Sequence, residues 1–220
     1  MTPLSPQDLV PFDSFTSSHP LKVDLVYAKP AHPDNLFKTG IYRPDARMWG
    51  HRSLVDIVLD AANICYKRTG WTFEVKDCLR TVEAQALMAE TPIVKANPHW
   101  LQEPRLLSPP GAGGHPRGMA VDIVLLDKNG DEVDMGTRFD YLTEDRSNNP
   151  AARAYKNFSP AVLENRLALE SAMLEAAALH GRRLLPLPQE WWDFRFYPEE
   201  TKILAPYHDA ELPPGMRMTA

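Results

Sequence analysis

The chain has 220 residues, 44% of them hydrophobic and 24% charged, with a formal net charge of −5; this suits one domain of 1–220 with a sizeable core and argues against disorder. The acidic balance, with no basic stripe interleaved with aromatics, argues against nucleic acid as a partner. No window approaches the ~20 consecutive apolar residues that span a bilayer, and the first residues lack a basic and an apolar leader region, so the expected location is cytoplasmic, or periplasmic if a signal segment has been removed.

Twenty-one prolines against 11 glycines predict many rigid connections, since proline fixes φ and removes a donor. The stretch 1–20 is turn-rich and is expected to wrap the surface. Val23 to Tyr27 alternates weakly as a strand would, and from Ser53 the residues Leu54, Ile57, Val58, Ala61, Ala62 and Cys65 recur at helical spacing up to a stop at Gly70. Trp71 to Val75 has period two and reads as a strand delivering Asp77 and Arg80 to the loop at its end; a helix with Thr81 as N-cap then runs to Glu90. The connection from Thr91 to Gly114 is rich in proline and then glycine, a length that is uncommon unless functional. Ala120 to Leu126 is an apolar strand followed by an Asn129-Gly130 turn. Ser159 and Pro160 open a long amphipathic helix that Gly181 closes, and a strand containing the Glu190 run completes the core. Strands and helices interspersed with hairpin signals predict an α+β domain with a central antiparallel sheet flanked by helices. Cys65 and Cys78 form neither a disulfide framework nor a metal knuckle and are expected as buried free thiols.

Asp122 lies inside an apolar strand, where an ionised carboxylate is costly unless paired or bound to a cation. His115 follows Gly113 and Gly114, whose backbone freedom lets it fold back toward Asp122. A shared metal ion explains both residues; pairing of Asp122 with Arg117 is the simpler alternative. Glu190 and Asp193 flank Trp191 and Trp192, which can form a dry wall that raises a carboxyl pKa. That places Glu190 as a general base, or as a plain acid beside buried tryptophans. Arg80 is placed to face a developing oxyanion, or to form a surface pair with Asp77 worth little energetically. Asp140, closing the run Asp134 to Asp140, supplies a carboxylate for a cationic substrate group or caps a turn.

Taken in order, these motifs resemble those of the D-alanyl-D-alanine dipeptidases of the vancomycin-resistance type, zinc peptidases of the M15 family. His115, Gly118, Ala120 and Asp122 match S-x-H-x-x-G-x-A-x-D; Asp77 and Arg80 match D-G-Y-R; Met135 to Asp140 match M-G-[ST]-R-F-D; Glu190, Trp191 and Trp192 match E-W-W-H. Tyr27, Asn35, Phe37, Gly40 and Tyr42 extend the likeness over most of the chain. The resemblance implies one zinc ion held by His115, Asp122 and Asp193, with Glu190 as base and Arg80 as transition-state stabiliser. It implies Asp140 as anchor for a dipeptide ammonium, with residue 113 and the tryptophans Trp191 and Trp192 at the substrate. The expected reaction is metal-dependent hydrolysis of D-Ala-D-Ala or a related short cell-wall peptide. The alternatives are carboxypeptidase action on muropeptide fragments and a catalytically silent cell-wall peptide binder.

Two departures stand out. Gly113 replaces the Ser that helps hold substrate in the family, and Asp193 replaces the last metal-binding His. Asp binds zinc at about 2.0 to 2.2 Å, but two carboxylates and one imidazole cancel the ion's 2+ charge. A less electrophilic ion and a greater share of Mn²⁺ are therefore expected. Asp is also shorter than His, so either the backbone moves inward or water or His208 takes the third position.

Overall fold

In a computed structural model, which describes residues 1–103, 105–143 and 145–219, the chain forms a five-stranded mixed sheet, a two-stranded ribbon and helices packed around them. The ribbon pairs β1 (Leu9–Pro11) antiparallel with β3 (Trp49–His51). The stretch 1–20 thus carries Leu9, Val10 and Phe12 into the core. In the large sheet the strands run in the order β2 (Leu21–Val23), β4 (Thr72–Asp77), β5 (Ala120–Leu126), β7 (Asp193–Phe196), β6 (Leu184–Pro186). Every pairing is antiparallel except β2 with β4, which are parallel.

Central position explains the composition of β5. All seven of its residues are buried, because β4 and β7 flank it, and a strand covered on both faces shows a continuous apolar run instead of alternation. Helix α1 (Arg52–Thr69) ends where expected, on Gly70 in the left-handed region at φ 75°, and it packs against α4 (Pro160–Leu179). Ser159 caps α4 through its side chain to the Val162 N–H. Between β4 and β5 run α2 (Val82–Glu90), capped by Thr81, and α3 (Pro92–Ala96). The short α5 (Pro198–Thr201) follows β7. None of the helices is long and apolar enough to cross a membrane among the described residues.

Two expected strands differ. Beyond Val23 the chain leaves the sheet: Lys29 binds the Asp24 carboxylate at 2.7 Å, and Val26–Ala28 close a 3-10 turn that buries Tyr27. The Glu190 run is a turn, and strand structure begins only at Asp193.

The approach to β5 is held by close backbone contacts. Gly118 sits at φ +62°, and its carbonyl accepts from the His51 N–H at 2.8 Å. A Cβ at this position would stand 2.8 Å from the His51 nitrogen. We expect Gly118→Ala to destabilise the fold by about 1–3 kcal/mol through combined strain and overpacking. Denaturant unfolding checks this; an unchanged midpoint would contradict it.

Candidate active site

The register of three adjacent strands sets Asp77 opposite Asp122 and Asp122 opposite Asp193. Three buried carboxyl groups therefore stand in a row across β4, β5 and β7. Like charges directly opposite are destabilising, and an uncompensated buried charge costs several kcal/mol. The two outer members have partners. Asp77 accepts from the Tyr42 hydroxyl at 2.5 Å, from the Cys78 N–H at 3.0 Å, and from Arg80 Nε and Nη2 at 2.9 and 2.5 Å. The Asp77–Arg80 pair is thus buried, unlike the surface pair weighed from sequence, and it fixes the Arg80 guanidinium in a cavity wall. Asp193 accepts from Arg195 Nε on Oδ1 at 2.7 Å and from Arg195 Nη2 on Oδ2. Residues two apart on a strand share a face, which is why these two meet.

Asp122, in the middle, is different. Its Oδ1 is buried without a hydrogen-bond partner among the described residues, and Arg80 Nη2 stands 3.7 Å from Oδ2. Arg117, the alternative partner, is spent elsewhere, donating to the carbonyls of Gly111, Gly113 and Leu204 at 2.8 to 3.0 Å. It fixes the glycine-rich loop and donates nothing to Asp122, which keeps only the distant charge of Arg80.

His115 completes the cluster. Its Nδ1 lies 2.8 Å from the Cys78 carbonyl oxygen, an acceptor, so Nδ1 carries a proton and Nε2 is the nitrogen turned toward the carboxylates. Nε2 is 3.3 Å from Asp193 Oδ2 and 3.6 Å from Asp122 Oδ1. A positive group must lie between Nε2 and the two carboxylate oxygens: a proton on Nε2 that is donated to Asp193, or a cation that takes its place. The donor set of imidazole nitrogen, unpartnered carboxylate oxygen and second carboxylate oxygen fits a divalent ion such as zinc. Asp77 also has a ligand atom within 4.8 Å of those of His115 and Asp122. Each of its oxygens, however, already accepts two hydrogen bonds, Oδ1 from Tyr42 and Cys78 and Oδ2 twice from Arg80, whereas each Asp193 oxygen accepts one from Arg195, so Asp77 holds Arg80 and leaves the ion to the others. His208 faces Glu83 at 2.9 Å and borders a separate depression, so it does not stand in for Asp193. A further group, Asp24, His32 and Asp34, already has its cation in the buried Lys76 ammonium, 3.3 and 3.1 Å from the two carboxylates.

Electrostatics agree with this geometry. Burial, then the charges of Asp193 and Asp77, push the Asp122 carboxyl well above its ordinary range. Burial and Asp193 raise Glu190 to about 8. At Asp193 burial acts upward, but Arg195 and His115 overcome it and hold the carboxyl well below the usual value. The pocket thus has more acid than its own guanidiniums offset.

Glu190 owes its position to a residue that sequence reasoning missed. Arg153 donates to the carbonyls of Leu187, Trp191 and Asp193 at 2.9 to 3.0 Å and stacks over the Phe194 ring at 4.5 Å. Its guanidinium takes carbonyls that a strand would otherwise pair, so residues 187–192 form a turn that projects Glu190 into the cavity. Trp191 and Trp192 are not among the residues lining that cavity. Trp192 packs edge-on against Phe139, and Trp191 donates to the Thr137 hydroxyl at 2.8 Å. The apolar lining comes instead from Tyr27, Phe37, Leu106, Leu107, Leu142 and Leu187.

The cavity has a volume of about 80 Å³, well below the roughly 300–1,000 Å³ of drug-sized ligand sites, so it suits a small substrate. His115, Asp122, Asp193, Glu190, Arg80 and Asp140 all line it. Asp140 adopts φ 57°, a left-handed conformation uncommon outside glycine, and accepts from the Tyr27 hydroxyl at 2.8 Å. Burial raises its carboxyl to about 6, against the lowering effects of Tyr27 and Arg80. Gly113 borders the neighbouring depression, although the direction of a Cβ on it points at Ser108 and Arg195 of the main cavity. Arg195 could have been found from its two-residue spacing to Asp193. Arg153 has no such signal, since it reaches the turn from 34 to 40 residues away.

The chain is 27% identical over 175 residues to the D-alanyl-D-alanine dipeptidase of Escherichia coli K12, covering 79% of this chain and 78% of the relative. A crystal structure of the Serratia marcescens L-Ala D-Glu endopeptidase aligns at 16% identity and a TM-score of 0.40, over 69% of this chain and 83% of that one. The family model described as D-Ala-D-Ala dipeptidase matches residues 8–210, so the chain belongs to the peptidase M15 family and is a peptidase.

Proposed function

We propose that the protein hydrolyses D-Ala-D-Ala, or a closely related short cell-wall peptide containing D-amino acids, using a divalent ion held by His115, Asp122 and Asp193. The single observation behind this reading is the buried Oδ1 of Asp122, without a hydrogen-bond partner among the described residues, beside the Nε2 of His115. Such an ion, when bound, makes water more acidic and polarises a carbonyl.

The chain's own groups do the rest. Glu190, with its carboxyl raised by burial, accepts the proton of the attacking water and returns it to the leaving amine. Arg80 is locked by Asp77 with its guanidinium in the cavity wall, preorganised for the oxyanion that develops at the scissile carbonyl. Asp140 holds the substrate ammonium. The apolar walls of Leu106, Leu107, Leu142 and Leu187 limit water and strengthen these interactions. Asp193 does not weaken the ion as its charge alone suggests, because Arg195 is forked onto it. Asp193 and Arg195 together are net neutral, as an imidazole would be, so the argument for a less electrophilic ion and for manganese loses its force and zinc remains the fitting ion.

Two outcomes follow. Glu190→Gln should lower kcat/KM on D-Ala-D-Ala by about 10²- to 10⁴-fold with bound metal retained; undiminished turnover, measured as released D-alanine, would remove Glu190 from the base role. Asp140 binds an ammonium only when ionised. As pH falls through about 6 its carboxyl takes up a proton, and KM should rise below that pH, a dependence that Asp140→Asn should abolish. A KM that is flat from pH 5 to 8 in the unsubstituted enzyme would contradict the assignment.

A further inference from the structure

The Arg195 guanidinium is only half used. Nε and Nη2 grip Asp193, whereas Nη1 has no hydrogen-bond partner among the described residues, although the side chain is only 14% exposed and lines the cavity. Ser108 lines the same cavity, and its hydroxyl likewise has no partner among the described residues. Between them lies Gly113, at φ +84°: a Cβ there would stand 3.5 Å from Arg195 Nη1 and 3.5 Å from Ser108 Oγ. A side chain at 113 would fill this notch, and glycine keeps it open.

The notch has a defined chemistry. A guanidinium N–H and a hydroxyl converge on a partly dry recess, the arrangement that binds a planar, two-oxygen anion. Arg105 also lines the cavity, whereas Asp140 and Glu190 contribute negative charge to it. The cavity therefore offers both signs of charge, as a short zwitterionic peptide requires. Clamping by Asp193 restrains the guanidinium before substrate arrives, so little side-chain entropy remains to be lost on binding.

We propose that Arg195 Nη1 and Ser108 Oγ bind the C-terminal carboxylate of the substrate, so that the enzyme selects peptides with a free carboxyl group next to the scissile bond over internal bonds of longer chains. This rests on the peptide-hydrolase reading above and adds two specificity-determining residues to it. It gives the departure at Gly113 a meaning: the position has lost its own side chain and exposes the donors of two others.

Calorimetric titration of the metal-loaded Glu190→Gln protein with D-Ala-D-Ala and with its C-terminal amide tests this without turnover. The free acid should bind about ten- to a hundredfold more tightly than the amide. In the Ser108→Ala background, where the Asp193–Arg195 clamp is untouched, that preference should shrink severalfold; in Arg195→Gln it should nearly vanish. Equal binding of acid and amide, binding of neither, or a full preference surviving in Ser108→Ala and in any folded Arg195→Gln protein would overturn the proposal. Intact acid preference with no Glu190-dependent turnover in the unsubstituted protein would instead overturn the proposed reaction and leave the carboxylate site standing.

Discussion

Asp77, Asp122 and Asp193 stand side by side across β4, β5 and β7, and the repulsion among these buried carboxyls organises everything around them. Arg80 answers it at one end and Arg195 at the other. The middle carboxyl keeps an oxygen with no hydrogen-bond partner among the described residues beside an imidazole whose Nδ1 is tied to the Cys78 carbonyl. The divalent ion proposed above would supply further compensation, and it would also lower the carboxyl pKa values that burial now raises. The same two guanidiniums also line the cavity, so the residues that make the acid row tolerable are part of its wall.

The exchange of a metal-binding His for Asp193 takes on a different meaning once Arg195 is seen. Alone, a second carboxylate would reduce the charge left on the ion. Forked by a guanidinium two residues along the same strand, it would offer an ion, under the proposed reading, an oxygen ligand with almost no net charge. An Arg in this place also brings a donor into the cavity that an imidazole would not. One compensated substitution thus bears on both the ion and the recognition of substrate.

Much of this was legible in the chain. The seven-residue apolar run of β5, the Gly70 stop after α1 and the Ser159 and Thr81 caps were visible because they are local signals, written in adjacent residues. The positions of His115, Asp122, Glu190, Arg80 and Asp140 around one cavity followed from ordered motifs. What escaped depended on tertiary contact. Arg153 reshapes residues 187–192 into a turn from a distant segment, so a run of aromatics that looks like a strand is none. Trp191 and Trp192 pack behind the cavity because Phe139 and Thr137 claim their faces. The parallel pairing of β2 with β4 has no signature in so short a strand. Ser108 sits in the proline-rich connection, where only the fold reveals its proximity to Arg195.

In this reading an ion supplies the compensation for Asp122 that Arg80, 3.7 Å from its Oδ2, leaves incomplete. Elemental analysis of purified protein after exhaustive dialysis, alongside Asp122→Asn, measures this directly. One equivalent of a divalent metal in the unsubstituted protein, reduced to a small fraction in Asp122→Asn, is the predicted result. A metal-free unsubstituted protein that still cleaves peptide, or full metal retention in Asp122→Asn, would contradict it.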